Sequence, residues 1–440
     1  MRANARATRV TGNEAASSVL LANAPRVEPR LRVLVIDEWL PYPLDSGKRV
    51  RTWNLLSRAA THHHIELLCF GQDASPAAKE VRATGIEVHT VVPPPKLEGW
   101  RLYLDLMANS VDCRPYSVAK HYSRRFETRL RALLRSRKFD LVHCEWTPYA
   151  QYLRCAPKIP HFIMAHNIES QIWWRRARHS RGWVEKTFFR MQAEKMAKFE
   201  CAALRDADGA GLVTPVDLAQ ALSWGARNLC LAENGVNPGD FAPRGEDAGS
   251  KQVLCLGALD WYPNLDAARH LLNDLWPAIK AQAPDATLRV VGRGAPPDLV
   301  RQVLGRSGVT MVGDVEDVRP EFARASVVAI PLRIGGGSRI KILEAMAMGR
   351  AVVTTPVGTE GLSVTNGVHL ALAKSPAAFV KSTVELLNSP EERQRLGQNG
   401  RSLVEDRYTW DRSALALERA WIHLVAKNVS GPIRLRLREV

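Results

Sequence analysis

The sequence predicts an α/β fold: two doubly wound, parallel-sheet domains in series, facing each other across a cleft. Three observations predict it. Short β-branched runs alternate with helical stretches along most of the chain. The alternation restarts after a break near Glu233 to Gly249, where Pro238, Pro243 and four glycines cluster. The 440 residues also suit two domains of roughly 200 each.

The elements follow in order. Residues 1–30 carry Arg2, Arg6, Arg9, Arg26 and Arg30 among small residues without a period, which reads as a flexible basic arm. Leu31 to Asp37 is a short β-branched strand, Pro41 to Gly47 a Pro/Gly-rich loop, and Arg49 to Ala60 a helix. The strands Ile65–Phe70, Glu87–Val92, Asp140–Cys144 and Phe162–Ala165 continue the rhythm, with a helix at Ala77–Thr84. A long mixed-charge helix, Val184 to Leu204, precedes the strand Gly209–Val213. The second set has strands Gln252–Leu256, Thr287–Val291, Val309–Val312, Ser326–Leu332 and Ala351–Thr355, with helices Asp266–Ala281 and Arg339–Met348. Gly349 is a helix stop, and Ala414 to Val429 is a last helix before a basic tail with Arg434, Arg436 and Arg438. The resulting division is 1–30, 31–235, 236–405 and 406–440, the last returning to the first domain.

Composition narrows the class. With 46% hydrophobic and 24% charged residues the chain is neither disordered nor a membrane bundle. No apolar run reaches the roughly 18 to 20 residues that span a bilayer, and the amino terminus lacks a secretory core, so a cytoplasmic location is the expectation. Seven scattered cysteines without CxxC spacing read as reduced core thiols. A net charge of +16 calls for an anionic partner: a phosphorylated donor, an acidic membrane surface or nucleic acid.

The most informative stretch runs from Ile330 to Gly349, IPLRIGGGSRIKILEAMAMG. A strand ends at Leu332. Gly335, Gly336 and Gly337 let a backbone come close, and Ser338 can cap a helix whose free N–H groups point back into the loop. Those donors and the helix dipole favour a diphosphate, and Arg339 and Lys341 add fixed positive charge at the same end. Glu344 lies six residues past the cap, about 9 Å along the axis, where a carboxylate can meet ribose hydroxyls.

This segment, with AVVTTPVGTEGL after it, resembles the donor site of the large family 4 of retaining glycosyltransferases, in a GGG-type branch. Further segments agree in order. PYPLDSGKRVR (Pro41 to Arg51) is similar to the family's first loop, where Gly47 would let the backbone approach the diphosphate. The loop beginning at Gly257 is similar in position to the one that borders the donor in that family. The stretch around His166, AHNIES, resembles the segment with the family's reaction-centre histidine, and ENGVN from Glu233 its interdomain Asn-Gly-Val. Gly313 to Val315 match the place where backbone meets the nucleotide base, and VEDRYTW (Val404 to Trp410) resembles the start of the returning helices.

The resemblance implies a GT-B fold, a retaining hexosyltransferase, and a UDP- or GDP-sugar as co-substrate with no further cofactor and no metal. The acceptor would be a glycan, lipid-linked or small-molecule hydroxyl, in polysaccharide or glycoconjugate synthesis such as exopolysaccharide biosynthesis. Two departures stand out. The position eight before Glu344, often Glu in the family, is Gly336, and the loop after Leu256 lacks the usual Arg and Lys. Arg339 and Lys341 are expected to take over that clamp, with His166 hydrogen-bonding the sugar's hydroxyl or steadying the transition state.

Weaker signals carry less. Asp206-Ala207-Asp208 has DxD spacing but sits between a helix and a strand, and His62, His63 and His64 read as a solvated helix end. WWRRAR from Trp173, with Arg181 and Trp183, mixes aromatics and cations like an interfacial segment, so an anionic membrane surface is a candidate partner. A nucleotide-sugar epimerase of the same fold is the competing enzyme reading. Nucleic-acid binding rests on charge alone and no motif supports it. A nicotinamide dehydrogenase lacks its GxGxxG after the first strand.

Overall fold

The computed structural model of the chain describes residues 30–95, 97–180, 182–243, 250–334 and 340–429. Among the described residues the strands form two sheets, each wholly parallel. The first contains β1 (Arg32–Trp39), β2 (His64–Phe70), β3 (Glu87–Val91), β4 (Leu141–Cys144), β5 (His161–Ala165), β6 (Gly209–Leu212) and β7 (Leu229–Leu231), ordered β3-β2-β1-β4-β5-β6-β7. The second contains β8 (Gln252–Leu256), β9 (Thr287–Val291), β10 (Val309–Val312), β11 (Val327–Ile330), β12 (Ala351–Thr354) and β13 (Ala371–Leu372), ordered β10-β9-β8-β11-β12-β13. Both orders reverse direction beside the first strand of the set. That reversal, between β1 and β4 and between β8 and β11, opens a crevice at the carboxyl ends.

Both faces of each sheet are buried. Val33 and Val35 of β1 join one apolar cluster while Leu34 and Ile36 join another, which is the period-two alternation of a strand covered on both sides. In β8, Val253 and Cys255 face one cluster and Leu254 the opposite one. The final helix, Trp410–Val429, returns to the first lobe: Trp410, Leu417 and Trp421 share a core with β1 and β2.

The chain passes between lobes twice, and the two passages lie side by side. Val236 pairs with Thr409 in parallel, and the Val236 N–H donates to the Tyr408 carbonyl at 2.9 Å. A Cβ added to Gly235 would lie 2.6 Å from the Thr409 carbonyl carbon, so this close approach requires glycine. Two ion pairs also bridge the lobes: Arg175 grips Glu360 at 2.7 and 3.0 Å, and Arg293 meets Asp45 at 2.7 Å.

Several sequence expectations change. The helix expected over Asp266–Ala281 begins at Tyr262 and runs to Gln282 through a π turn at Leu271–Leu275. Pro277 lacks an N–H and would press on the carbonyl four residues back, and the wider turn absorbs it. Of the three histidines, His62 and His64 are exposed as expected of a solvated end, whereas His63 is buried against the Trp421 ring; with His62 Nδ1 2.9 Å from Glu418, His63 helps seat the returning helix. Not all thiols are core thiols, since Cys113 is exposed. The basic arm over 1–29 and the tail with Arg434, Arg436 and Arg438 lie outside the described residues.

Candidate active site

A cleft of about 650 Å³ runs between the lobes at the carboxyl ends of both sheets, a volume suited to a small-molecule ligand. The first lobe contributes the loop after β1 and the amino end of the helix Gly47–His62. Ser46 caps that helix by accepting from the Arg49 N–H at 3.4 Å. Gly47 faces the second lobe closely: a Cβ there would stand 3.6 Å from Ile340 Cδ1. The amino ends of two helices, one from each lobe, therefore converge on the cleft.

The second of these is Ile340–Ala347, and Ile340, Lys341 and Glu344 line the cleft. Gly335, Gly336, Gly337, Ser338 and Arg339 lie outside the described residues. Lys341 Nζ donates to the Leu256 carbonyl at 3.0 Å and to Asn264 Oδ1 at 2.8 Å, which holds the ammonium at the end of β8. Gly257 is next to it, and a side chain at that position would collide with both Lys341 Nζ and Asn264. Glu344 is half-buried, and burial pushes its carboxyl up to about 7, with Lys341 opposing.

Val315 lines the cleft with Asp314 and Glu316, whereas Gly313 is not part of the lining and a Cβ there would meet nothing. His166 follows β5 at the sheet's carboxyl edge and lines the cleft from the first lobe. Its Nε2 donates to the Glu145 carbonyl oxygen at 2.6 Å and lies 3.2 Å from the Glu145 carboxylate. The helix after it, Glu169–His179, is seated by Glu200 of the helix Trp183–Asp206, which accepts from the Glu169 and Ser170 N–H groups.

Sequence reading missed four participants. Arg51 is buried and bonds the Asn234 side chain and the Ala232 carbonyl, both at 2.7 Å, and burial pulls its guanidinium down to about 10. Lys48, in the first turn of the same helix, pairs with Asp37 at 2.6 Å. Arg293, just past β9, supplies a cation at the cleft beside the loop whose Arg and Lys are absent. Glu145 is fully buried behind His166. Only the first two stood in a segment already singled out.

The remaining candidates have ordinary partners. Asp206 pairs with Arg205, and Asp208 accepts from the His161 N–H at 2.8 Å. Among the described residues one trio of metal-type ligands comes together, Glu66, Glu87 and His89, and Arg137 occupies both carboxylates at 2.7 and 2.6 Å. In WWRRAR, Arg175 holds Glu360 and Arg176 covers the Phe189 ring, so both serve contacts within the protein. No helix of the described residues is long and apolar enough to cross a membrane.

Comparison with known proteins agrees with this architecture. Residues 250–389 match the family model described as Glycosyl transferases group 1. Over 197 residues, 40% of this chain and 52% of the relative, the sequence is 30% identical to a GDP-mannose-dependent monoacylated alpha-(1-6)-phosphatidylinositol monomannoside mannosyltransferase of Corynebacterium glutamicum. The chain spans about half the length of the curated relatives it matches. The sucrose-phosphate synthase of Thermosynechococcus elongatus superposes with a TM-score of 0.68 at 20% identity, over 90% of this chain and 100% of that one. HepE of Anabaena, solved with UDP and glucose, gives 0.64 at 13% over 89% and 99%. The fold is GT-B, and the resemblance to GT-B glycosyltransferases read from the sequence holds.

Proposed function

We propose, from the premise that this chain is a GT-B protein of the group 1 glycosyltransferase kind, that it moves a sugar from a nucleotide diphosphate sugar to an acceptor hydroxyl with retention of configuration. One observation carries the reading: Gly257, Lys341 and Glu344 of one lobe face Gly47, Arg51 and His166 of the other across a single cleft at both switch points. Converging helix ends and fixed cations suit a diphosphate leaving group, whose developing charge is what such an enzyme must stabilise. In this reading the departing phosphate takes the acceptor's proton and lobe closure excludes water, so no protein nucleophile is required.

The donor is a UDP- or GDP-sugar, and the C. glutamicum relative and HepE carry GDP-mannose and UDP in their descriptions. The acceptor is a glycan, lipid-linked or small-molecule hydroxyl in polysaccharide or glycoconjugate synthesis. An anionic membrane surface fits the exposed Trp100, Tyr103, Leu104 and Met107 on the helix Trp100–Val111 better than WWRRAR. Flotation with anionic liposomes should carry the protein upward, and equal behaviour with neutral liposomes counts against that surface.

A panel of UDP-, GDP- and ADP-sugars, by thermal shift and then hydrolysis, tests the whole reading. One donor should stabilise the protein and be turned over, and Lys341→Ala and Glu344→Ala should each lose that turnover while remaining folded. Near-wild-type turnover in both variants refutes the site.

A further inference from the structure

Glu145 lies one residue beyond β4, at the reversal of the first sheet, with no exposed surface. Its carboxylate meets three donors: Thr52 Oγ1 at 2.9 Å, His143 Nε2 at 2.5 Å and His166 Nε2 at 3.2 Å. The protons on the two imidazoles follow from their other partners. An indole N–H can only donate, and that of Trp421 meets His143 Nδ1 at 3.1 Å. His143 Nδ1 is therefore bare, and its proton sits on Nε2, aimed at Glu145. A carbonyl oxygen can only accept, and that of Glu145 meets His166 Nε2 at 2.6 Å. His166 must therefore carry a proton on Nε2, which leaves Nδ1 as the nitrogen available to a ligand in the cleft.

Donation converges on the carboxylate from both ends: indole to imidazole to carboxylate on one side, and the cleft imidazole to the same carboxylate on the other. The chain of contacts begins on the returning helix and ends at the cleft histidine. Burial alone would raise the Glu145 carboxyl, and the hydrogen bonds from His143 and His166 outweigh it and hold the group well below the usual carboxylate range. Arg51 and Lys48 supply further positive charge near it, and Asp37 negative charge.

We propose that Glu145, oriented by the Trp421–His143 pair, is the positioning residue for His166: it fixes the ring with Nε2 protonated and inward, so that Nδ1 is presented to the transferred sugar. The part concerning the sugar rests on the glycosyltransferase reading, whereas the part concerning the ring does not. The Glu145 main-chain carbonyl survives substitution and keeps Nε2 protonated, so removing the carboxylate charge should shift the His166 ring-nitrogen signals without changing the tautomer, even where no ligand is bound.

The test has two arms. In protein labelled with ¹⁵N-histidine, His166 is assigned by the signals missing in His166→Asn. The unliganded wild type should show it protonated at Nε2, and Glu145→Gln should move both ring-nitrogen signals. In the second arm, hydrolysis of UDP-glucose, or of the panel sugar turned over fastest, should fall about a hundredfold in kcat in Glu145→Gln, with KM within about threefold. Glu145→Gln combined with His166→Asn should cost no more than His166→Asn alone, and Glu145→Asp should recover part of the loss. Unmoved His166 signals, or additive losses in the double variant, overturn the proposal. If Glu145→Gln does not fold, Trp421→Phe removes the far donor and should still move the His166 signals, and unmoved signals there are equally decisive. A wild type that turns over no nucleotide sugar sinks the glycosyltransferase reading, while the nitrogen signals still decide the role of Glu145.

Discussion

Replacing Glu344 with glutamine should make the unliganded protein more stable and the enzyme worse. In the folded chain burial raises this carboxyl from the usual 4.5 to about 7. Well below pH 4.5 it is protonated in both states and contributes nothing to the pH dependence. As pH rises, the unfolded chain ionises first and the folded state falls behind, so stability is lost progressively until pH passes the folded value. Glutamine resembles the protonated acid and escapes this penalty. Linkage gives the variant an advantage of about 1.4 kcal/mol near pH 5.5 and at most about 3.3 kcal/mol near pH 8. For a domain of this size the difference of about 2 kcal/mol corresponds to about 4–8 °C in the melting midpoint. Differential scanning fluorimetry of both proteins at the two pH values measures it. The same variant should bind nucleotide about tenfold or more weakly, since hydrogen bonds from ribose hydroxyls to a charged carboxylate are lost. A melting difference that does not grow with pH would show that the carboxyl bears no burial penalty, and the reasoning would fail.

Three further perturbations follow from the geometry. Gly257→Ala places a methyl against Lys341 Nζ and Asn264, in a backbone conformation that L side chains rarely adopt, so donor turnover should drop at least about tenfold and the melting midpoint should fall by a few degrees, and wild-type turnover would refute the placement of Lys341. Arg51→Met leaves the Ala232 carbonyl and Asn234 without their buried donor and should cost about 3 kcal/mol in urea unfolding; a cost below about 1 kcal/mol contradicts the role given to this pair of bonds. Arg175→Ala removes a half-exposed bridge worth about 1 kcal/mol at most, and should raise the donor KM about two- to fivefold without changing kcat. Raising salt to about 1 M should bring the wild type to the same KM, and an unchanged wild-type KM in salt argues against the bridge.

The strands were legible because parallel sheets covered on both faces need unbroken β-branched runs, and Val33–Ile36 and Val327–Ile330 are such runs. Many helices between them went unread, although a signal was present. At Thr214-Pro215, Ser375-Pro376 and Ser389-Pro390, as at Ser75-Pro76 before the helix that was read, a hydroxyl residue precedes proline, and in each case the hydroxyl accepts from the N–H three residues on. Proline alone, without a capping hydroxyl, marks Pro263, near the true start of the helix placed four residues too late. The site was legible where chemistry leaves a local pattern, as for Lys341 and Glu344 on one short helix. Arg293 and Glu145 leave none: each is a single residue after a strand, and its meaning comes from partners 248 and 21 positions away.

The paired passages at Val236 and Thr409 limit how the molecule can open. Two polypeptide connections hydrogen-bonded along one line behave like the spine of a book, permitting its covers to swing and forbidding them to slide. Since the helix that leaves the second passage is embedded in the core beside β1, the spine is glued to the front cover, and any opening would turn the back cover about it. A swing about that line would bring the same atoms of Ile340 back over Gly47, so a ligand would be enclosed by a repeatable fit rather than a search among poses.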